Sequence, residues 1–153
     1  MHICRKGQPM DFERILVPMD FSSSAQEAFD AVLKHFPDSK LFLLHVIEST
    51  QNESFLEPSM KEEFHSKVQD ATYKKLEALI SDHKKDKGRI EPVVGVGKPA
   101  AIILESATEQ KVDMIAMGSH GNDSISKYFF GSTTYAVSRK SDCSVWILKS
   151  KQR

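Results

Sequence analysis

The chain has 153 residues, of which 40% are hydrophobic and 27% charged, the composition of one folded domain rather than of a disordered or collagen-like chain. Its 21 basic and 21 acidic residues cancel, so the overall charge gives no case for binding nucleic acid or an anionic membrane. No apolar run approaches the length of a membrane span, and the 2 cysteines and 6 histidines lack disulfide or metal-ligand spacing, so a reducing, cytoplasmic setting is expected.

The first part of the chain is predicted to form strand, helix and strand. A short apolar run at 14–18 predicts a buried strand. Ser22, Ser23 and Ser24 then offer caps, and Ser24 with Glu27 fits a capping box, so a helix is predicted to open there and to continue at helical spacing towards Pro37. The run 41–47 is nearly all apolar, as in a strand that is covered on both faces.

A long amphipathic helix is predicted next, with charged residues around one apolar side. That side comprises Met60, Phe64, Val68, Ala71, Leu76, Leu79 and Ile80. The basic stretch 83–89 that follows is interpreted as a solvated turn. Residues 89–96 predict a strand, and Pro92 within it favours an outer position in the sheet, because proline has no N–H to donate to a neighbouring strand.

The remaining elements follow at short intervals. Pro99 suits the first turn of a helix, and 112–117 is the next apolar strand. A helical pattern runs from Ser132 to about Lys140, and 143–148 is predicted to be the last strand.

The alternation of strand and helix predicts a parallel α/β sheet with helices on both faces. In such sheets ligands bind beyond the carboxyl ends of the strands, where the strand order reverses. Asp20, Val46 and Gly118 lie at or just after the ends of the first, second and fourth strands. We therefore expect these three residues to converge on one edge of the sheet.

A glycine element joins the fourth strand to the helix after it, with Met-Gly-Ser-His-Gly at 117–121, nine further residues, and Gly-Ser-Thr at 131–133. Glycines let main-chain N–H groups converge on an anion, and the second block opens a helix, whose N-terminus has unpaired N–H donors. The element is therefore suited to hold a phosphate chain. The alternative is that Gly118 and Gly121 only form a tight turn and that Ser132 is an ordinary N-cap.

These motifs resemble those of the universal stress protein family over residues 12–149, which leaves 1–11 as an irregular leader and 150–153 as a tail. The residues that carry the resemblance are Ile15-Leu-Val-Pro-Met-Asp20-Phe-Ser22, Leu44-His-Val46, Gly97-Lys-Pro99, Asp113-Met-Ile-Ala-Met-Gly-Ser-His-Gly121 and Gly131-Ser-Thr133. The glycine element has the spacing of the family's ATP-binding subclass. The resemblance implies a five-stranded sheet in the order 3-2-1-4-5 and a homodimer formed through the last strand, 143–148.

The resemblance also implies how ATP would bind. Pro18 and Val46 would flank the adenine, through apolar contact and main-chain polar groups. Asp20 would lie near the ribose or near a Mg²⁺ ion bound to the phosphates, since this ion prefers carboxylate, phosphate and water oxygens.

The glycine element would hold the phosphates of that ATP molecule. The residues implied in this contact are Met117, Gly118, Gly121, Gly131, Ser132 and Thr133. The first three would form a turn around the phosphates, and the last three would grip the terminal ones. His120 lies inside the first turn, where it either reaches a phosphate or only fixes the loop.

Two positions depart from the family pattern. Phe21 follows Asp20 where many members have glycine, and it should keep this position out of the positive φ that glycine adopts easily, without removing Asp20. Ser144 follows Cys143 where many members have proline, which restores an N–H donor in the last strand. Trp146 in that strand is either a core residue or a dimer anchor.

The sequence offers no convincing catalytic set. A Walker loop and a dinucleotide fingerprint are absent, and loop 21–24 has none of the glycines that adenylating enzymes of similar fold carry. An ATP-binding regulatory module of stress-response type is therefore favoured, with loops 48–57 and 122–130 ordering on ATP. The alternatives are a slow Mg²⁺-dependent ATPase, a dimeric adaptor without nucleotide, and a receiver-like phosphoacceptor. The receiver is disfavoured because the third strand ends in Val-Gly-Val at 94–96 and not in aspartate.

Overall fold

The computed structural model describes residues 11–48, 57–120 and 130–149. Strands and helices alternate along these ranges as the sequence predicts, and the strand ends differ from the predicted ones by one or two residues at most. The elements are β1 (Arg14–Pro18), α1 (Ser23–His35), β2 (Lys40–Ile47), α2 (Pro58–Asp82), β3 (Ile90–Val96), α3 (Pro99–Glu109), β4 (Met114–Gly118), α4 (Ser132–Lys140) and β5 (Ser144–Leu148). No helix in the described ranges has the length and apolarity needed to cross a membrane.

The strands form one parallel sheet in the order β3-β2-β1-β4-β5, which confirms the predicted architecture. β3 lies at one edge, as Pro92 indicates. β1 and β4 are neighbours in the sheet, and the chain leaves their carboxyl ends towards opposite edges. The strand order therefore reverses between them, which opens a crevice at this point.

Two apolar layers cover the two faces of the sheet. On one face, α1 and α2 contribute Phe29 and Leu76 to a buried cluster. On the other face, α3 and α4 contribute Ile103 and Val137 to a second cluster. Successive residues of each inner strand point alternately into the two layers, which is why the inner strands are apolar throughout.

The N-cap of α1 is Ser22, whose Oγ accepts a hydrogen bond from the main-chain N–H of Ala25 at 3.1 Å. The capping box predicted from Ser24 and Glu27 is therefore wrong. Ser24 lies inside the first turn and is buried against the end of β4. Consecutive serines offer caps of equal chemistry, and the contact of Ser24 with the end of β4 places Ser24 inside the helix.

Helix α2 is longer than the strands that it covers. Its 25 residues span about 37 Å, whereas the 7 residues of β3 span about 23 Å. Of the predicted apolar side, Leu76 and Ile80 are buried, but Met60 and Phe64 are 56% and 51% exposed. The predicted apolar side is therefore buried only towards the C-terminal end of the helix, and the N-terminal half extends past the sheet.

Arg89 fastens the start of β3 to the end of α1. Its guanidinium group pairs with Asp86 at 2.7 Å and donates to the carbonyl groups of Phe36 and Ser39 at 3.0 and 2.9 Å. The side chain is only 17% exposed, so the interpretation of 83–89 as a solvated turn is wrong at this residue. Carbonyl groups at a helix C-terminus lack partners inside the helix, and a cation suits them.

Candidate functional site

Three strand ends form the edge of the sheet at which ligands bind in this architecture. The N–H of Met19, just past β1, donates to the Leu44 carbonyl of β2 at 2.7 Å. β1 pairs with β2 on one side and with β4 on the other, and β4 ends at Gly118. Because the strands are parallel, Asp20, Val46 and Gly118 lie at the same edge, as the sequence predicts.

The residues implied in adenine binding lie on the α3–α4 side of this edge. Val46 is half-buried and packs against that apolar layer. Pro18 is also half-buried and alternates onto the same side, two residues after Leu16. Met117 is 5% exposed and belongs to the same layer, so only its main chain can face a ligand.

Hydrogen bonds hold the two halves of the glycine element together. The N–H of Gly131 donates to the Ser119 carbonyl at 3.0 Å. The Oγ1 of Thr134 donates to the Gly118 carbonyl at 3.1 Å. These two bonds fix the start of α4 against the end of β4, although the intervening sequence is long.

The N-terminus of α4 faces this edge of the sheet. Gly131 is the N-cap and makes no side-chain cap, so Ser132 is the first residue of the helix and not its N-cap. The N–H groups of Ser132 and Thr133 have no acceptor within the helix, and the helix dipole adds partial positive charge. Main-chain amides in this arrangement attract phosphate.

Gly118 has a steric reason to be glycine that does not depend on a ligand. A Cβ atom at this position would lie 2.7 Å from both the carbonyl carbon and the carbonyl oxygen of Ser24 in α1. The Oγ of Ser24 is buried at the same contact and has no hydrogen-bond partner among the described residues. Helix α1 therefore packs directly on the end of β4, beside the glycine element.

Asp20 is held in a turn between β1 and α1, where its Oδ1 accepts a hydrogen bond from the Ser22 N–H at 2.9 Å. Phe21 adopts a φ of 62°, so the expectation that phenylalanine keeps this position out of positive φ is wrong. Its ring is held by side chains from two other elements. The Nζ of Lys75 lies 3.8 Å from the ring centroid, and the His45 ring lies 5.0 Å away.

His120 is an ionisable side chain in the first block of the glycine element. Its Nδ1 lies 2.7 Å from the Oγ of Ser119, which is 1% exposed. Its Nε2 is buried and has no hydrogen-bond partner among the described residues, an arrangement that a ligand oxygen would relieve. Gly121 lies outside the described residues, as do 122–129 and 49–56, which make up most of the two predicted loops.

Metal ligands are sparse at this edge of the sheet. In the three described ranges, no group of three or more His, Cys, Asp or Glu side chains could hold a metal ion. Asp20 is the carboxylate that the sequence assigns to Mg²⁺. A cation beside it would take most of its ligands from phosphate and water, which is the coordination that Mg²⁺ prefers.

Sequence reasoning missed four residues that shape the site, namely Ser24, His45, Lys75 and Thr134. A hydroxyl group in the first turn of a predicted helix can donate to the main chain of the strand before it, so Thr134 could have been found. The others act through tertiary contacts between separate elements, and no local pattern indicates them.

A model of the universal stress protein family matches residues 11–149. The chain belongs to this family. It is 28% identical to Universal stress protein MJ0577 of Methanocaldococcus jannaschii, over 92% of this chain and 96% of that protein. The solved structure of MJ0577 matches with a TM-score of 0.77 at 29% identity and covers 94% of this chain and 99% of that one.

Two further solved structures share the fold of this universal stress protein at lower identity. One is a universal stress protein in complex with cAMP, with a TM-score of 0.63 and 21% identity, covering 92% of this chain and 99% of that one. The other is a family member from Arabidopsis thaliana with AMP bound, with a TM-score of 0.59 and 19% identity, covering 90% and 91% of the two chains.

Proposed function

We propose that this universal stress protein binds an adenine nucleotide, preferably ATP, at the carboxyl ends of β1, β2 and β4. The bound nucleotide acts as a regulatory ligand in a stress response. Two proteins of the same fold, described above, hold cAMP and AMP, which supports a nucleotide of this class. The cytoplasmic location expected from the sequence stays a prediction.

The observation that carries this proposal is the docking of α4 on the end of β4. Its two hydrogen bonds, from Gly131 and Thr134, direct the first-turn amides of α4 towards the ligand edge. The buried Nε2 of His120 offers a further polar contact beside them. We assign the phosphate contacts to Met117 (through its main chain), Gly118, His120, Gly121, Gly131, Ser132 and Thr133.

The adenosine part and the cation occupy the other side of the crevice. We assign the adenine to the half-buried Pro18 and Val46, on the α3–α4 side. Segments 117–121 and 131–133 contain no lysine or arginine, so a triphosphate held there needs positive charge from elsewhere. A Mg²⁺ ion between the phosphates and Asp20 would supply that charge. We assign no catalytic residue.

We also propose that two copies of this protein pair through β5. This strand lies at an edge of the sheet, where unpaired main-chain groups can bind a second copy. Trp146 is half-buried, with its ring edge-on to Phe36 at 5.4 Å between centroids, so it contributes to the core and still offers surface. Light scattering should give the mass of a dimer, and a monomer at every concentration contradicts the pairing.

Isothermal titration calorimetry on nucleotide-stripped protein tests the binding of ATP. With Mg²⁺ present we expect a Kd in the micromolar range, about −8 kcal/mol. Absence of heat up to millimolar ATP contradicts the proposal. Steady-state turnover faster than about 1 s⁻¹, an ordinary enzyme rate, would reassign the protein to the ATPases.

The Gly131→Val variant tests the phosphate assignment. We expect it to abolish ATP binding, because the isopropyl group would cover the first-turn amides of α4. The fold should persist, since the φ of −57° at this residue suits valine. Gly88→Val is the matched control, because a Cβ there meets no atom within 4 Å, and it should bind like the wild type. Unchanged affinity in Gly131→Val would refute the assignment.

A further inference from the structure

The turn that carries Asp20 contains a backbone conformation that a bulky residue rarely adopts. Phe21 has a φ of 62°, in the left-handed region that favours glycine. Such conformations persist only where surrounding contacts impose them, and they cluster at functional sites. The contacts around Phe21 therefore indicate which function this backbone conformation serves.

Side chains from β2 and α2 hold the turn on both sides of Asp20. On one side, the Nδ1 of His45 donates to the Met19 carbonyl at 2.6 Å. On the other side, the Phe21 ring packs against the His45 ring at 5.0 Å and lies under the Lys75 ammonium group at 3.8 Å. A cation this close to a ring face is attracted by the ring quadrupole.

The residues before and after Asp20 are thus both fixed, and Asp20 is fixed between them. Its Oδ1 accepts from the Ser22 N–H at 2.9 Å, which orients the carboxylate at the start of α1. Phe21, His45 and Lys75 lie on the α1–α2 side of the sheet, whereas Val46 lies on the α3–α4 side. The three side chains therefore lie on the face of the sheet opposite to the residues assigned to adenine, and they support the turn without contacting the adenine.

We propose that Phe21, His45 and Lys75 form a clamp that positions the Asp20 carboxylate for the cation and phosphates of the nucleotide. This Phe21 clamp rests on the proposed function and adds three positioning residues to it. Lys75 is the most informative member, because it is exposed and its removal leaves the core intact. The Lys75 ammonium group holds the Phe21 ring in place. The position of that ring in turn fixes the main chain of the turn that carries Asp20.

Calorimetry with Mg²⁺ and ATP on Lys75 variants tests the clamp. Lys75→Met should weaken binding by at most about three- to fivefold, because the free energy of an exposed cation–π contact is the most that its loss can subtract from binding. Lys75→Arg keeps the cation over the ring and should bind within about twofold of the wild type. Lys74→Met removes the neighbouring exposed charge and is the control, with unchanged affinity expected. Equal binding by Lys75→Met and the wild type overturns the clamp.

A double-mutant cycle with Asp20→Asn separates positioning from a general structural effect. If the clamp acts through the Asp20 carboxylate, Lys75→Met should cost no further affinity once that carboxylate is gone. The same loss in both backgrounds overturns the inference. A wild type that binds no ATP would refute the proposed function and the clamp with it, whereas a binding wild type with unaffected Lys75→Met refutes the clamp alone.

Discussion

The two sides of the candidate site are built by different means. On the β4–α4 side, main chain meets main chain, since Gly118 lies against α1 and Gly131 bonds to the end of β4. On the β1–α1 side, the side chains of His45 and Lys75 hold Phe21 in a conformation that it would not adopt alone. The first side depends on glycines and on one buried hydroxyl group, that of Thr134, whereas the second depends on larger side chains. Substitutions should therefore affect the two sides differently.

The largest effect is expected for Gly118→Ala. The added methyl group would lie 2.7 Å from the Ser24 main chain, which cannot move without shifting α1. We expect a loss of about 2–3 kcal/mol in the free energy of unfolding, as for other overpacked sites. Urea denaturation measures this loss. Gly88→Ala, in open space, should stay within about 0.5 kcal/mol of the wild type. Equal stability of the two variants would show that α1 does not constrain β4.

A smaller effect is expected for Thr134→Val. This variant keeps the side-chain shape but removes the donor to the Gly118 carbonyl, in a residue that is 3% exposed. Leaving that buried carbonyl short of a partner should cost about 1–2 kcal/mol by thermal or urea unfolding. The control is Thr108→Val, because the Oγ1 of Thr108 donates to the Leu104 carbonyl on the exposed surface of α3. If both variants lose the same free energy, the Thr134 bond does not hold the glycine element.

The smallest expected effect is the difference in free energy of unfolding between two variants at Phe21. Both Phe21→Gly and Phe21→Ala lose the ring, but only alanine keeps a side chain at a φ of 62°. We expect the glycine variant to be more stable than the alanine variant by about 1 kcal/mol. At Ala78, an exposed position in α2, a change to glycine should instead destabilise by about 1 kcal/mol. The same order of stability at both positions would remove the argument for strain at Phe21.

The fold could be predicted because its signals are local and repeated. The apolar run 41–47 indicates a strand covered on both faces, and Pro92 indicates an edge, both of which the structure bears out. Parallel topology then places Asp20 and Gly118 at one edge without further information. The errors lie where two elements meet in space. Ser24 has the chemistry of an N-cap, yet its contact with β4 places it inside α1.

The site could be predicted only in part for the same reason. The glycines and the helix start of α4 are adjacent to one strand in sequence, so their spacing indicates a phosphate loop. The Phe21 ring contacts His45 and Lys75, and Lys75 is more than fifty residues away in the sequence. Rules based on neighbouring residues predict a negative φ at Phe21, because they contain no information on contacts between distant elements.

The length of α2 divides that helix into two parts of unequal local stability. Its C-terminal part, with Leu76 and Ile80, is packed into the core. In its N-terminal part, Met60 and Phe64 face solvent and do not pack against the core. This part of the helix can therefore fray at a small cost in free energy. We therefore expect the backbone amides of α2 to be better protected from exchange at its C-terminal end than at its N-terminal end. Exposure of the chain to proteases in the native state should begin at this end.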